Sequence, residues 1–193
     1  MTNLMAPKIT IEDCHLFSGS AIQVNGLATA GSASVIVNNC LLEQHTTLVT
    51  IINADEQNAV FISNVVLDGG KMLEMASDIG GSPIAKQTLR AVANMIDQST
   101  PNGPVFSMSG SRGGITQVAL LEDNVVDKAN ANGQNGGVLD MEYSGTDMYT
   151  VEQQVNATGN GFDYCQANSG GAIFVQTLET LSNITGRLAP KQN

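Results

Sequence analysis

Basic residues are scarce in this chain: eight Lys and Arg stand against eighteen Asp and Glu, for a formal charge of -10 and a pI near 4.3. With no cluster of cations to release counterions, a sequence-independent grip on nucleic acid or an anionic lipid surface is not expected. Cysteine is rarer still. Cys14, Cys40 and Cys165 are too few for a disulfide scaffold and lack zinc-ligand spacing. No apolar run approaches the ~20 residues that cross a bilayer, so no membrane span is expected. The opening ten residues lack the basic region and apolar stretch of a secretory signal, so the chain is expected either to be intracellular or to have its leader outside this sequence. Charged residues of either sign make up only 13%. The wet surface must come largely from Asn, Gln, Ser and Thr, and with 20 glycines that balance suits β-structure with tight turns better than a charged helical bundle.

What the chain does have is a repeat. One phrase, two apolar residues, a polar one and another apolar one, recurs at Ala21–Val24, Leu48–Ile51, Met72–Met75, Val105–Met108, Val138–Met141 and Ala172–Val175. Its second residues, at 22, 49, 73, 106, 139 and 173, are separated by 27, 24, 33, 33 and 34. A second phrase interleaves with it: an alternating strand, a polar pair and another apolar residue, clearest at Ile9–Leu16, Val35–Leu42 and Val60–Leu67. Weaker copies align on residues 94, 124, 154 and 183, following 14, 40 and 65. Both phrases alternate with period two, which sends successive side chains to opposite faces of a strand. A fixed period of this length marks a solenoid whose units bury their apolar faces on one another.

The expected fold is therefore all-β: one single-stranded right-handed parallel β-helix of about six coils over residues 1–193, either whole or one unit of a larger assembly. Its inward column would be Ile22, Val24, Val49, Ile51, Leu73, Met75, Phe106, Met108, Leu139, Met141, Ile173 and Val175, with Gln23, Thr50, Glu74, Ser107, Asp140 and Phe174 outward. At the bend, Asn39 and Asn64 are expected in one stack, and Asn94, Asn124 and Asn183 in the next, bonded amide to amide. Ile84, Leu89, Val92 and Ile96 also fit one face of a helix after Ser82-Pro83. A strand from Leu89 is preferred, because a helix would leave a double-length gap in the second series.

The segments Phe162-Asp-Tyr-Cys-Gln-Ala-Asn-Ser-Gly-Gly-Ala-Ile-Phe-Val and Gly136-Gly-Val-Leu resemble the GGAI-containing repeats of chlamydial polymorphic outer membrane proteins and related pectin-lyase-like surface proteins. Only Gly170 to Ile173 matches GGAI itself, and Cys165 stands where the companion FxxN motif has Asn. The resemblance implies a parallel β-helix, often adhesive, in an extracellular or cell-surface setting.

The wider superfamily includes polysaccharide-cleaving enzymes, but the adjacent Asp pair, Gly-His-Gly and Arg-Ile-Lys segments that this resemblance would call for are absent. His15 and His45 have no partnered acid nearby in sequence. Glu122, Asp123, Asp127, Asp140 and Glu142 gather on one coil and offer oxygen ligands suited to calcium, yet no known ligand loop surrounds them, and a solvated acidic face is preferred. No catalytic residue, metal or cofactor is expected. Cys14 and Cys40 fall at equivalent places on successive coils and are read as stacked thiols. Asn156 and Asn183 begin glycosylation sequons, at a frequency that chance supplies in so Asn-rich a chain.

An apolar strip on the outward side of the second phrase, Ile36, Leu41, Phe61, Val66 and Val125, points to a lateral interface. The functional expectation is a non-catalytic structural or adhesive module that assembles end-to-end or laterally, as a homo-oligomer or within a larger protein assembly. The alternative is a carbohydrate-active or carbohydrate-binding protein with a polysaccharide partner.

Overall fold

The structure is a computed structural model and describes residues 7–17, 22–25, 31–78, 85–98, 103–111, 113–131, 133–145 and 150–177. Among the described residues there is no helix, and eighteen strands form three all-parallel sheets of six strands each. Sheet A holds β1 (Lys8–Glu12), β4 (Ser32–Asn38), β7 (Glu56–Ile62), β10 (Ala85–Val92), β13 (Ile115–Glu122) and β16 (Val151–Thr158). Sheet B holds the three-residue strands β2 (His15–Phe17), β5 (Leu41–Glu43), β8 (Val65–Leu67), β11 (Met95–Asp97), β14 (Val125–Asp127) and β17 (Gly161–Asp163). Sheet C holds β3 (Ile22–Asn25), β6 (Thr47–Ile52), β9 (Lys71–Ser77), β12 (Phe106–Gly110), β15 (Leu139–Tyr143) and β18 (Ile173–Thr177). Each coil visits A, B and C in turn. The chain is thus a right-handed parallel β-helix of about six coils, the hand that parallel crossovers nearly always take.

The inward column of sheet C is the one expected from the first phrase. Ile22, Val49, Leu73, Phe106, Leu139 and Ile173 stand in register, as do Val24, Ile51, Met75, Met108, Met141 and Val175. In two of the coils the double apolar start of the phrase has a backbone cause. The carbonyl of Val105 accepts from the amides of both Met72 and Leu73, and that of Ala172 from both Val138 and Leu139. Two residues then oppose one, as in a β-bulge, and both members of Met72–Leu73 and Val138–Leu139 are buried. Each such side chain contributes about 1.5–3 kcal/mol when fully withdrawn from water. The segment that also fitted a helix is strand: β10 begins at Ala85 and pairs with β7 and β13.

The bend between sheets A and B is the most regular part of the molecule. Residues 8, 34, 58, 88, 118 and 154 of sheet A are in register, and each is followed seven positions later by 15, 41, 65, 95, 125 and 161 of sheet B. At each bend one residue takes a left-handed conformation, with φ of 51–54° at Asp13, Asn39, Ser63, Ala93 and Asp123 and 68° at Gly159. The next side chain turns inward. Those inward residues are Cys14, Cys40, Asn64, Asn94, Asn124 and Asn160.

Three expectations for this bend are corrected. Asn64 stacks with Asn94 and Asn124 rather than with Asn39, whose amide instead donates to Asp13 Oδ1 at 2.7 Å. The coil marker at 65 belongs one residue earlier, at Asn64. The marker at 154 belongs at Asn160, because Gln154 lies within β16 opposite Val118. The inward set Gln153, Val155 and Ala157 must face Gln117, Ala119 and Leu121, and this parity fixes the register. Asn183 lies outside the described residues.

Candidate functional site

Inside the coil, two ladders of side-chain amides run along the axis. In the first, Asn64 Nδ2 donates to Asn94 Oδ1 (2.9 Å), Asn94 to Asn124 (2.8 Å) and Asn124 to Asn160 (2.9 Å). The same oxygens accept the backbone amides of Asn64, Asn94 and Asn124. The second ladder was not expected. Gln87 Nε2 donates to Gln57 Oε1 (3.1 Å), Gln117 to Gln87 (2.7 Å) and Gln153 to Gln117 (2.7 Å), with Gln57, Gln87 and Gln117 fully buried. Its signal was present in the sequence: Gln57, Gln87, Gln117 and Gln153 each precede a ladder Asn by seven residues. Fully satisfied polar networks of this kind rigidify a core and specify its register. They leave function to the outer faces.

The outer face of sheet B carries an apolar ridge. Leu41, Val65, Met95 and Val125 stand in one column on successive coils. Met95 is 57% and Val125 50% exposed, and Leu67 in the next column is 41% exposed. Acids flank the ridge. The neighbouring column contains Glu43, Asp97, Asp127 and Asp163, and Asp13 and Asp123 occupy the bend on the other side. Lys128 reaches Asp127 at 2.9 Å and Asp97 at 3.5 Å, and those carboxylates raise its pKa.

The strip expected from the sequence divides on this geometry. Phe61 and Val66 are fully buried and belong to the core, where Phe61 packs at 5.8 Å from the ring of Phe106. Their assignment to the outside had the wrong parity: Val35, Val37, Ala59 and Phe61 point inward on sheet A, and Leu42, Val66, Ile96 and Val126 on sheet B. Ile36 is half-buried on the outer face of sheet A. Leu41 and Val125 are the two that lie on the ridge, which also includes Val65 and Met95.

A second cluster lies on the outer face of sheet C. Asp140 and Glu142 project from β15 two residues apart, and Glu74, Ser107 and Asp140 stand in register. Lys71, only 9% exposed, lies 3.7 Å from Glu74 and also acts on Asp140. The segment that follows β14 closes over them: Asn135 Nδ2 donates to Glu142 Oε1 at 2.9 Å. A Cβ at Gly103, where φ is +98°, would lie 2.8 Å from Gln134 Oε1 and 3.3 Å from Lys71 Cε. Asp140 is itself 9% exposed, and burial, then the Glu142 charge, pushes its carboxyl up to about 7. Asp140 therefore keeps its proton far above the usual carboxylate range, up toward neutrality.

The other expected acids do not join this pair. Glu122 ends a strand of sheet A, Asp123 sits at the bend and Asp127 lies on sheet B. Among the described residues no group of three or more His, Cys, Asp or Glu is placed to hold a metal ion. His15 does have an acid partner, Glu43 of the next coil, in a hydrogen bond to Nε2. His45 is buried with neither ring nitrogen bonded, and burial lowers its pKa to about 4. The cysteines are free thiols, Cys14 donating to Glu12 O (3.0 Å) and Cys40 to Asn38 O (3.2 Å). Burial pushes the thiols of Cys40 and Cys165 up, away from the thiolate that reactivity needs. Asn156 is exposed on sheet A, in register with Leu120.

Among the described residues no helix is long and apolar enough to cross a membrane. Compared with protein families, curated proteins and solved structures, the chain matches none.

Proposed function

We propose that this chain is a non-catalytic structural or adhesive β-helix module that takes its place in a larger extracellular or cell-surface assembly through a lateral face. The observation that carries the reading is the ridge of Leu41, Val65, Met95 and Val125 on successive coils, half-buried at its first two members and exposed at Met95 and Val125, on a rod whose interior is locked by two amide ladders. A rigid array of apolar side chains at fixed spacing is a recognition surface, and ordering it costs little further entropy on binding. The likeness of Gly170 to Ile173 and the neighbouring segment to the repeats of polymorphic outer membrane proteins and other pectin-lyase-like surface proteins supports the adhesive setting. The test is the size of the native complex in extracts of the source cells. Migration well above 20.2 kDa, reduced by the double variant Met95→Ser/Val125→Ser, is expected. Migration as a free chain in both cases defeats the reading.

A second reading, a carbohydrate-active or carbohydrate-binding protein, is favoured by the carboxyl pair Asp140 and Glu142. Glycoside hydrolysis uses two carboxyl groups held in different protonation states. Incubation with neutral and acidic oligosaccharides distinguishes the two readings. Turnover or saturable binding that falls about 100-fold or more in Glu142→Gln would favour the second.

A further inference from the structure

From the geometry of sheet B we infer that the ridge docks a cationic amphipathic helix of a partner protein. This rests on the reading of that face as an interface and names its occupant. Three properties of the face converge on the assignment.

The first is width. Each strand of sheet B is three residues long, or about 10 Å at ~3.3 Å per residue. A helix with its side chains is about 10–12 Å across and covers such a strip with little overhang. The second is spacing. Ridge residues on successive coils are ~4.8 Å apart along the axis. Apolar side chains on one face of a helix recur with its ~5.4 Å pitch, whereas those on one face of a strand lie ~6.6–6.8 Å apart. Across the three steps from Leu41 to Val125 a helix drifts by about 2 Å and a strand by about 6 Å, so only the helix keeps its contacts in phase.

The third is charge. Beside the ridge the neighbouring column reads Glu43, Leu67, Asp97 and Asp127, with Asp163 one coil further on, and at the bend on the other side Asp123 stands beside Val125 while Asp13 lies one coil before Leu41. Lys128 bridges Asp97 and Asp127. Like charges on neighbouring rungs weaken a sheet; Lys128 offsets Asp97 and Asp127, and a helix with Lys or Arg beside its apolar stripe would add cations against Glu43, Asp123 and Asp163. A second copy of this chain, docked face to face, would instead set acidic columns against one another, and with each copy at -10 that pairing is disfavoured.

The experiment uses the full chain and three synthetic peptides, followed by fluorescence anisotropy, with sedimentation of the chain alone in parallel. One peptide is an amphipathic helix of Leu and Lys, the second replaces every Lys by Glu, and the third scrambles the first so that no apolar face remains. The Leu-Lys helix is expected to bind saturably. Its affinity should fall about tenfold or more in Met95→Ser/Val125→Ser and several-fold in Asp97→Asn/Asp163→Asn, with a loss at high salt that the second variant reduces. Binding by the Leu-Glu helix, or self-association abolished by Met95→Ser/Val125→Ser, would keep the interface and overturn its cationic occupant. Equal binding by the scrambled peptide, indifference to Met95→Ser/Val125→Ser, or no binding by any probe would overturn the docking site itself.

Discussion

Asn94 Nδ2 donates to Asn124 Oδ1 at 2.8 Å, and the same oxygen accepts the backbone amide of Asn94 at 3.1 Å. One side chain thus satisfies two donors of the preceding coil, while its own Nδ2 turns to Ala91 O and Asn160 Oδ1. The bend between sheets A and B is held by this relay, and removing one member leaves buried groups of the preceding coil without that partner.

Asn94→Ala is expected to lower stability by about 3 kcal/mol, because the buried amide of Asn64 and the carbonyl of Phe61 each lose a partner at ~1–3 kcal/mol apiece. Urea denaturation of the two chains reads the difference. A change below about 0.5 kcal/mol would mean that the relay does not hold the bend.

Phe61→Asp should prevent folding, since it places a carboxylate in the fully buried column beside Phe106. Truncating a buried Phe already costs about 3–5 kcal/mol, and an unpaired charge adds to that. Val125→Asp, half exposed on the ridge, should stay within about 1 kcal/mol of the parent. Circular dichroism and solubility separate the two variants.

His45 and Asp140 should give stability opposite dependences on pH. Unfolded His45 takes up a proton near its ordinary 6.5, whereas in the fold it does so only near 4. Between those values the unfolded chain holds more protons, so stability falls on acidification, by about 3 kcal/mol for this group. Asp140 behaves in the other direction. Its folded carboxyl keeps a proton up to about 7 whereas the unfolded one loses it near 3.8, so its contribution to stability weakens as pH rises through that window. Relative to the parent, His45→Leu should gain most near pH 4, and Asp140→Asn should gain above pH 7 but not near pH 4. Denaturation at four or five pH values shows whether the difference curves have these opposite slopes.

Ala93 holds φ at 53° at the bend where Gly159 stands in the last coil. The left-handed region costs a residue with a Cβ about 1–2 kcal/mol, and glycine gives back part of that gain through unfolded-state entropy. Ala93→Gly is therefore expected to stabilise by up to about 1 kcal/mol, and Ala93→Val to destabilise by more than that. Thermal melts decide the sign.

Much of this architecture could be read before any coordinates. The first phrase placed twelve inward residues of sheet C in their observed register, because its period-two alternation carries the same two apolar positions inward on coil after coil, with a bulge at Met72–Leu73 and at Val138–Leu139. The second phrase was less secure. It mistook the parity of Phe61 and Val66, since strands rich in Val and Ile on both faces offer no polar residue to mark the outside; Val60 and Ile62 flank Phe61 and face outward. It also misplaced the last bend: from Asn124 to Asn160 the chain advances 36 residues where the two coils before it advance 30, so a marker sought at the shorter step falls inside β16.

Period-two alternation and a recurrent apolar phrase suffice to specify a parallel β-helix, because burying those side chains demands strands stacked in register. The two candidate surfaces depend on distances between residues that lie far apart in the chain. Met95 meets Val65 and Val125, and Lys71 meets Asp140, only after the coils have wound. Which outward residues become neighbours is set by coil length and by the segments that fold over sheet C, and local sequence patterns carry little information about either.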